Sequence, residues 1–382
     1  MKKERGWLWV IVAVTFLLFG GCESAGTQGT GGGTGSDANP EEDSPPVGDF
    51  GALSYLGQSD TTAQPRQVVV SPDGNHAYVT RYDGNAVAWL SRNSTTGALS
   101  YESQYLSATN LDGAYGVAVS PDGDHVYVTA LDDSAIAWFA RDPATGALTY
   151  GGRYVDATQI DGAQEIAIAP SGEHVYVAAN GADAVAWFTR NATTGALTYG
   201  DRYTNTNISG AASVRVSPDG NHVYVAANGA DAVAWFTRNA TTGALTYVDR
   251  FAGTEIQGAE RLAMAPNGED LYVASDVAGL AWFDRDETSG ALSHGNTYNE
   301  INFGVIAGIA VSPDGRTVYA PEGTDDSLAW LYRDTTSGAL TFGDRYVNAS
   351  LDRHIMVTVS PDDKHVYLVV QQTGAVAWFD RS

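Results

Sequence analysis

A 26-residue stretch occurs twice in this chain without a single change, at His174–Tyr199 and again at His222–Tyr247. Both copies read HVYVAANGADAVAWFTRNATTGALTY. Identical copies within one chain identify a repeat protein, and the length of the period decides which architectures are possible.

The period is close to 48 residues and covers nearly the whole chain. Between successive copies of the tripeptide Gly-Ala-Leu the spacings are 46, 49, 49, 48, 47 and 48 residues. The tripeptide begins at Gly51, Gly97, Gly146, Gly195, Gly243, Gly290 and Gly338. Each unit also carries an SPDG-like turn, a Tyr-Val run and an Ala-Trp pair, so the sequence contains seven units.

Each unit is predicted to form four short strands. In the second unit the strands are Gly116–Ser120, His125–Thr129, Ala135–Arg141 and Gly146–Tyr154. Pro121-Asp122-Gly123 supplies a tight turn, because Pro presets its φ and Gly accepts a positive φ. Four β-branched and aromatic runs in one repeat are typical of a propeller blade. No helical periodicity of 3.6 residues is visible, which disfavours a helical solenoid.

The two ends of the chain support a closed ring. The repeats open with a lone fourth strand, Gly51–Leu56, and close after a third strand, Ala375–Arg381. Pairing the two completes the last blade and removes the exposed edges of an open array. We therefore predict an all-β chain whose residues 50–382 form a seven-bladed β-propeller of four-stranded antiparallel blades, with the N-terminal strand completing the last blade.

Residues 1–21 are predicted to be a bacterial lipoprotein signal peptide. Basic residues precede an apolar run, Trp7–Phe19, which is short for a membrane span but fits a signal peptide. The only cysteine, Cys22, follows two glycines directly, which resembles the acylated cysteine of bacterial lipoproteins. Glu23 is not the aspartate associated with inner-membrane retention. We expect the protein in the cell envelope, anchored to the outer membrane through Cys22 alone.

Residues 22–49 contain no apolar cluster and are predicted to be a disordered acidic tether rich in Gly, Ser and Pro. The formal net charge is −24, and removal of residues 1–21, with three basic and one acidic side chain, leaves −26. Such a surface repels phosphate backbones, so nucleic acid is not an expected partner. The single cysteine excludes a disulfide framework and thiol-based metal sites. We expect a monomeric propeller.

Residues that recur once per blade are interpreted as structural. One histidine precedes the Tyr-Val strand in five units, and Asp270 and Thr317 replace it in the other two. These histidines are His76, His125, His174, His222 and His365. One residue per blade around a ring does not converge as metal ligands must, so each histidine is predicted to satisfy its own first turn. The repeated tryptophans are predicted to pack between neighbouring sheets.

Function in a propeller is expected where the repeats differ. The two least repetitive positions lie at the mouth of each blade's first strand. The first reads Arg66, Tyr115, Gln164, Ala212, Glu260, Ala307 and Ile355; the next reads Gln67, Gly116, Glu165, Ser213, Arg261, Gly308 and Met356. Arg215 interrupts a register otherwise filled by small residues, and needs the channel or a partner such as Glu165. The candidate ligand-binding residues are Gln67, Tyr115, Gln164, Arg215, Glu260 and Arg261.

Acidic loops between the second and third strands are a further candidate site. They contain Asp83, Asp132, Asp133, Asp183, Asp231, Asp276, Glu322, Asp325 and Asp326. Carboxylate oxygens are the ligands that calcium prefers, so calcium is a possible cofactor. No fixed ligand spacing is present, and solvated acidic loops explain the same pattern. No metal-binding residues are assigned.

The repeat SPDG-x-HVYV…AVAWF-x-R…TTGALT resembles that of the seven-bladed lactonase family, whose founding activity is 6-phosphogluconolactone hydrolysis, and of the related YVTN-type surface propellers. The resemblance covers Phe50 to Ser382. First strands of the family often open with Gly-Pro-Arg-His; here Gln64 to Gln67 keeps the Pro-Arg pair, and His354 follows an arginine. The resemblance implies Arg66, Glu165 and His354 as candidate catalytic residues.

Two functions remain open at this point. The preferred hypothesis is a tethered binding module whose acidic loops bind an envelope protein or a glycan. The alternative is a lactonase that opens a small lactone, in which an arginine or histidine polarises the carbonyl and Glu165 or Glu260 activates water. Convergence of Arg66, Glu165, Arg215, Arg261 and His354 in one pocket would favour the lactonase, and scatter around the ring would favour binding.

Overall fold

The computed structural model describes residues 52–60, 64–298, 306–322, 326–351 and 354–381. The predicted signal peptide, the predicted tether and Cys22 lie outside these residues, as does the side chain of His354. Lipidation at Cys22 therefore stays a prediction. No helix in the described ranges has the length and apolar character needed to cross a membrane.

The described residues form seven four-stranded antiparallel sheets, which confirms the predicted all-β propeller. In the first six blades the four strands pair in chain order. The strands of the first three blades are β2 (Pro65–Val70), β3 (His76–Arg81), β4 (Ala86–Arg92), β5 (Leu99–Leu106), β6 (Ala114–Val119), β7 (His125–Ala130), β8 (Ala135–Arg141), β9 (Leu148–Val155), β10 (Ala163–Ile168), β11 (His174–Ala179), β12 (Ala184–Arg190) and β13 (Leu197–Thr204).

The next three blades repeat this arrangement. Their strands are β14 (Ala211–Val216), β15 (His222–Ala227), β16 (Ala232–Arg238), β17 (Leu245–Ala252), β18 (Ala259–Met264), β19 (Asp270–Ser275), β20 (Gly279–Arg285), β21 (Leu292–Tyr298), β22 (Ala310–Val311), β23 (Thr317–Glu322), β24 (Ser327–Arg333) and β25 (Leu340–Val347). The only helices in the described ranges are short 3-10 turns, Thr206–Ile208, Asn228–Ala230, Thr254–Ile256 and Ala349–Leu351.

The last blade is closed by both ends of the chain, as predicted. It contains β26 (His354–Val359), β27 (His365–Val370), β28 (Ala375–Arg381) and the N-terminal strand β1 (Leu53–Asp60). Leu53 pairs with Arg381, and Asp60 pairs with Ala375, so β1 is the outer, fourth strand of this sheet. The ring is therefore held shut by backbone hydrogen bonds between its two ends.

The hydrophobic core lies between neighbouring blades. Trp187 of the third blade packs in one cluster with Val214, Val223 and Phe236 of the fourth. The predicted role of the repeated tryptophans is thus confirmed for this pair of blades. Because each cluster joins two sheets, a blade cannot be removed without exposing the apolar faces of both neighbours.

Polar contacts on the side of the SPDG turns also join each blade to the next. Arg190, at the end of β12, donates from Nε to Tyr127 Oη (2.8 Å) and from Nη2 to Asp122 Oδ2 (2.7 Å), both in the second blade. Its Nη2 also contacts His125 Nδ1 at 2.8 Å. Tyr127 Oη in turn donates to the carbonyl of Gly195 (2.9 Å). We call this set the interblade lock.

Equivalent locks join every pair of neighbouring blades. In each, an arginine at the end of a third strand donates from Nε to a tyrosine of the preceding blade. These arginines are Arg92, Arg141, Arg190, Arg238, Arg285, Arg333 and Arg381. The repeated arginine and tyrosine of the sequence motif therefore act together, although 61 to 63 residues separate them in six of the pairs and 275 in the pair that closes the ring.

The predicted role of the repeated histidines needs a correction. The backbone N–H of His125 does bond to Ser120 Oγ of its own turn (3.0 Å), but its ring serves the next blade through Arg190. Burial lowers the pKa of His125, and the Arg190 guanidinium lowers it further, so the neutral ring accepts the hydrogen bond. Where Asp270 replaces histidine, Arg333 pairs with that carboxylate directly.

The Gly-Ala-Leu mark of the repeat follows from the same lock. Gly195 has a φ of +71°, a conformation that favours glycine. A Cβ atom at this position would lie 2.3 Å from Cδ2 of the His125 ring. The turn glycine is therefore required both by its backbone conformation and by its close approach to the preceding blade.

Candidate functional site

The variable positions lie at a backbone irregularity that repeats in the first strand of the blades. Pairing of β10 with β11 shifts between Ala163 and Glu165, so Gln164 has no partner residue in the ladder. Similar shifts occur in β2, β6, β14, β18 and β26. Such bulges redirect side chains and are common near active sites. Here they place the least repetitive residues at the mouth of the ring, at the end away from the SPDG turns.

Side chains from five blades meet in one small pocket at this mouth. The empty volume, including space open to solvent, is about 190 Å³. The lining residues are Arg66, Gln67, Tyr115, Gln164, Glu165, Arg261 and Met356. Because they come from the first strands of blades one, two, three, five and seven, the pocket surrounds the ring axis and does not belong to a single blade.

Tyr115 is the centre of the pocket's hydrogen bonds. Its Oη receives Arg66 Nη2 at 2.6 Å, Gln164 Nε2 at 2.8 Å and Arg261 Nη2 at 3.0 Å. The Arg66 guanidinium also lies over the Tyr115 ring, with Cζ 4.3 Å from the centroid. Residues from blades one, two, three and five are thereby joined at one oxygen atom.

Glu260 completes this network beside the pocket. Its Oε1 lies 3.3 Å from Arg261 Nη1 and accepts from Gln164 Nε2 at 3.3 Å. Its Oε2 accepts from Asn228 Nδ2 at 2.8 Å. Burial alone would lower the pKa of Arg261, but Tyr115 and Glu260 outweigh it and raise the pKa above its usual value. Arg261 is therefore a buried guanidinium that stays charged.

Glu165 has one bound and one unbound carboxylate oxygen. Its Oε1 accepts from Arg215 Nη1 at 2.5 Å, so the partner predicted for Arg215 is confirmed. Its Oε2 is buried and has no hydrogen-bond partner among the described residues. Gln164 Oε1, Arg66 Nε and Arg261 Nε are also buried without partners in the described part of the chain. Buried polar atoms normally have partners, so their grouping here indicates a place for a polar ligand.

Most of the candidate residues meet as the lactonase hypothesis requires. Arg66, Glu165 and Arg261 line the pocket, Arg215 contacts it through Glu165, and only the side chain of His354 lies outside the described residues. Gln67 also lines the pocket and has a structural role, because its Oε1 accepts a hydrogen bond from Val117 N at 2.9 Å.

Met356 also lines the pocket but was not among the candidates. It occupies the same aligned position as Gln67, Glu165 and Arg261, and that position was the signal that could have found it.

The family model named "Lactonase, 7-bladed beta-propeller" matches residues 65–207, 198–305 and 297–382. The chain belongs to this lactonase family. The match begins at the first strand of the first blade and continues to the end of the chain, so it covers this lactonase-family propeller apart from strand β1 of the last blade. The resemblance to the lactonase family inferred from the repeat is confirmed.

Solved structures share the fold of this lactonase-family propeller. A candidate 6-phosphogluconolactonase from Bacteroides fragilis is 20% identical with a TM-score of 0.70, over 85% of this chain and 92% of that one. A similar candidate from Bacteroides uniformis is 19% identical with a TM-score of 0.69, over 78% and 88%. The periplasmic gluconolactonase of Pseudomonas aeruginosa is 20% identical with a TM-score of 0.65, over 74% and 85%. No curated protein matches the chain significantly.

The described residues of this lactonase-family propeller contain no group of three or more His, Cys, Asp and Glu side chains arranged to hold a metal ion. Asp325 of the predicted acidic loops lies outside the described residues. The calcium prediction therefore stays a prediction.

Proposed function

We propose that this protein is a hydrolase that opens the ring of a small lactone in the pocket around Tyr115. The observation that supports this most is the convergence of Arg66, Arg261 and Glu165, from three different blades, on one pocket with unpartnered polar atoms. Guanidinium donors beside a carboxylate are the groups that lactone hydrolysis needs. Membership of the lactonase family agrees with the same reaction class.

The guanidinium groups supply the electrophilic part of the reaction. Arg66 and Arg261 each have a buried Nε–H without a partner among the described residues. Donors held in place before the reaction stabilise the negative charge that develops on a carbonyl oxygen, and they need no reorganisation. We assign Arg66, the more exposed of the two, to the lactone carbonyl, and Arg261 to holding Tyr115 and Glu260.

Glu165 supplies the base. Its unpartnered Oε2 accepts a proton from water, and the water oxygen bonds to the lactone carbonyl carbon. Collapse of the tetrahedral intermediate breaks the bond between that carbon and the ring oxygen, which takes the proton back from Glu165. Lactone and water thus become one hydroxy acid, and the carboxylate is restored. Arg215 holds the other oxygen and keeps the carboxylate in place.

The substrate is proposed to bind at the mouth of the pocket. The empty volume of about 190 Å³ includes space open to solvent, so the enclosed space is smaller. A small monocyclic lactone can place its carbonyl group beside Arg66 while its ring stays at the open mouth.

The test is hydrolysis of a panel of neutral and phosphorylated lactones by the full-length protein, with and without calcium. The comparison variant is the double substitution Arg66→Ala, Glu165→Ala, and the matched control is Arg250→Ala, Glu287→Ala on the outer part of the propeller. Turnover that is lost in the first variant and kept in the second supports the proposal. If no lactone is hydrolysed faster than by the first variant, the lactonase proposal is wrong, and binding of an envelope protein or glycan becomes the hypothesis to pursue.

We also propose that the protein works in the cell envelope, attached through Cys22. The support is the apolar run and the cysteine that follows it in the sequence. Cys22→Ser should abolish incorporation of a labelled fatty acid and release the protein from the membrane fraction. Retention of the label in the Cys22→Ser variant would contradict lipidation at this residue.

A further inference from the structure

The hydrogen bonds at Tyr115 Oη determine the ionisation state of this side chain. Arg66 Nη2, Gln164 Nε2 and Arg261 Nη2 lie 2.6, 2.8 and 3.0 Å from the oxygen. All three neighbours are nitrogen donors. A protonated phenol oxygen has two lone pairs and one proton to donate, so it cannot accept three such bonds and also place its own proton.

The direction of all three hydrogen bonds is fixed, for two of them by the chemistry of the donor and for the third by a neighbouring carboxylate. A guanidinium group has no acceptor atom, which fixes the direction of the bonds from Arg66 and Arg261. The amide of Gln164 could in principle be turned, but its Nε2 also donates to the Glu260 carboxylate at 3.3 Å. Turning the amide would place two oxygens against each other at that contact. Among the described residues, no acceptor lies within hydrogen-bond distance of Tyr115 Oη for a phenol proton.

We infer that Tyr115 is held as a phenolate by its three donors and acts as a positioning residue, an anion that fixes the Arg66 and Arg261 guanidiniums and cancels much of their charge. A deprotonated oxygen has three lone pairs, one for each donor. In combination with the proposed lactonase function, on which this part rests, the neutralised pocket selects lactones without a phosphate group.

The other groups around Tyr115 agree with this assignment. Burial alone would raise the pKa of Tyr115, but Arg261 and then Arg66 outweigh burial and the nearby Glu260, so the pKa lies below its usual value. Tyr82 packs edge-on against the Tyr115 ring at 6.4 Å between centroids. Burial and a hydrogen bond with Asp132 raise the pKa of Tyr82 to about 12, so Tyr82 adds no charge here.

Within the contact network of the pocket the charges then cancel. Three guanidiniums meet three anions, and these are Arg66, Arg215 and Arg261 against Tyr115, Glu165 and Glu260. Asp276 lies near Glu260 and Arg261, and burial and then Glu260 raise its pKa to about 6, so at pH 7 it adds further negative charge. A phosphate monoester carries about −1.5 to −2 charges near pH 7. With no surplus cation in the pocket and a net charge of −26 after residue 21, a phosphorylated lactone is repelled. A neutral lactone meets the same polar groups without that penalty.

The first test is a pH titration followed by carbon NMR of the protein labelled at the tyrosine Cζ, a nucleus that reports ionisation directly. One resonance, absent in Tyr115→Phe and retained in the matched control Tyr82→Phe, should show the phenolate shift already at neutral pH. Arg66→Met, which removes the shortest donor and keeps the Tyr115 ring, should move that titration to higher pH. A Tyr115 resonance that stays at the phenol position up to about pH 10 would overturn the proposal.

The second test compares a neutral lactone with its phosphorylated form. The unsubstituted protein should have the higher kcat/KM for the neutral lactone. Tyr115→Phe removes one negative charge, so KM for the phosphorylated lactone should fall by about tenfold relative to KM for the neutral one. An unchanged ratio would overturn the assigned role in selectivity. If neither lactone is hydrolysed by any variant, the lactonase proposal fails, while the NMR titration still decides the phenolate.

Discussion

Arginine and tyrosine meet in two regions of the propeller, and the two regions leave the phenol in opposite states. In the interblade lock, Tyr127 accepts one bond from Arg190 and donates its own proton to the carbonyl of Gly195. At the pocket, Tyr115 accepts three bonds and has no acceptor for a proton in the described part of the chain. The two tyrosines differ because the carbonyl of Gly195 accepts the proton of Tyr127, whereas no described residue accepts a proton from Tyr115.

The electrostatics follow the hydrogen bonds. Burial raises the pKa of Tyr127 to about 12, and Arg190 lowers it too little to offset this. At Tyr115 two guanidiniums act on one buried phenol, and the pKa falls below its usual value. The positive charge of Arg190 is paired with the carboxylate of Asp122 and not with the tyrosine. The neutral phenol of Tyr127 thus stabilises the contact between two blades, and the phenolate of Tyr115 positions the two arginines of the pocket.

This comparison predicts that substitutions in the pocket change activity and substitutions in the lock change stability. The largest effect is expected for Glu165→Gln, which removes the proposed base without changing its shape. We expect kcat/KM for a neutral lactone to fall by about a hundredfold to ten-thousandfold. His174→Gln, a lock variant, is the control and should retain its kcat/KM. Equal losses of kcat/KM in both variants would contradict the different roles of the pocket and the lock.

Arg215→Gln tests the same carboxylate less severely. Arg215 binds Glu165 Oε1 but is not part of the pocket lining, so the base remains when this arginine is removed. Without Arg215 the carboxylate keeps its chemistry but loses the contact that holds Oε1 in place. We expect kcat to fall by less than in Glu165→Gln, with little change in KM. A loss as large as that of Glu165→Gln would contradict a purely positioning role for Arg215.

In the lock, the largest effect is expected for Gly195→Ala. The substitution combines a positive φ, which costs an L-residue about 1–2 kcal/mol, with a Cβ only 2.3 Å from the His125 ring. Overpacking of this kind costs about 1–3 kcal/mol more. Chemical denaturation should show a loss of about 3 kcal/mol, with KM unchanged.

Gly253→Ala is the matched control for Gly195→Ala. The φ of Gly253 is 177°, which any residue adopts, and the nearest atom to an added Cβ is the flexible end of Glu255. The free energy of unfolding should change by less than about 0.5 kcal/mol. If the two alanine variants were equally stable, the lock would not depend on the close approach of its glycine.

The fold could be predicted because each repeat contains both the turn residues and the β-branched and aromatic runs of its four strands. In the second blade, the bounds of the third strand, Ala135–Arg141, were predicted correctly. The first strand of the same blade begins at Ala114, two residues before the predicted start, because the bulge at Tyr115 and Gly116 breaks the alternation of side chains. The fourth begins at Leu148, because Gly146 still belongs to the turn at a φ of +71°.

The sequence was sufficient to locate the site, but it could not predict which side chains contact one another there. Comparing the repeats identified Arg66, Tyr115, Glu165 and Arg261, since an otherwise regular ring needs a reason for each irregular residue. The three donors on Tyr115 come from residues 49, 49 and 146 positions away in the chain, and sequence spacing carries no information on such contacts. The same limit explains why the contact of His125 with Arg190, 65 residues away, was missed.

A smaller effect is expected from the five lock histidines. Burial and then the partner arginine lower the pKa of each ring. The unfolded chain, with histidine near pH 6.5, therefore binds more protons than the folded one in the range below that value. The free energy of unfolding should fall as the pH is lowered from about 7 to about 5.

The histidine effect can be separated from that of the lock aspartates. Burial alone would raise the pKa of Asp219, but Arg285 and Ser217 outweigh it and lower the pKa to about 2. The aspartate contribution is therefore lost only below about pH 4. His174→Gln should reduce the slope between pH 7 and 5 and leave the acid step in place. A slope that is the same with and without His174 would mean that this ring is not held neutral by the lock.

The smallest effect is expected in the lock between the third and fourth blades, which lacks an anion. Arg238 meets His174 at 2.9 Å but pairs with no acidic side chain in the described ranges, because Ser171 stands where Asp122 stands in the preceding blade. Ser171→Asp should stabilise the protein by about 0.5–1 kcal/mol in low salt and by less in high salt. Ser171→Asn, which has the shape without the charge, is the control. An equal gain in both variants would show that the lock gains from a hydrogen bond at this position and not from an ion pair.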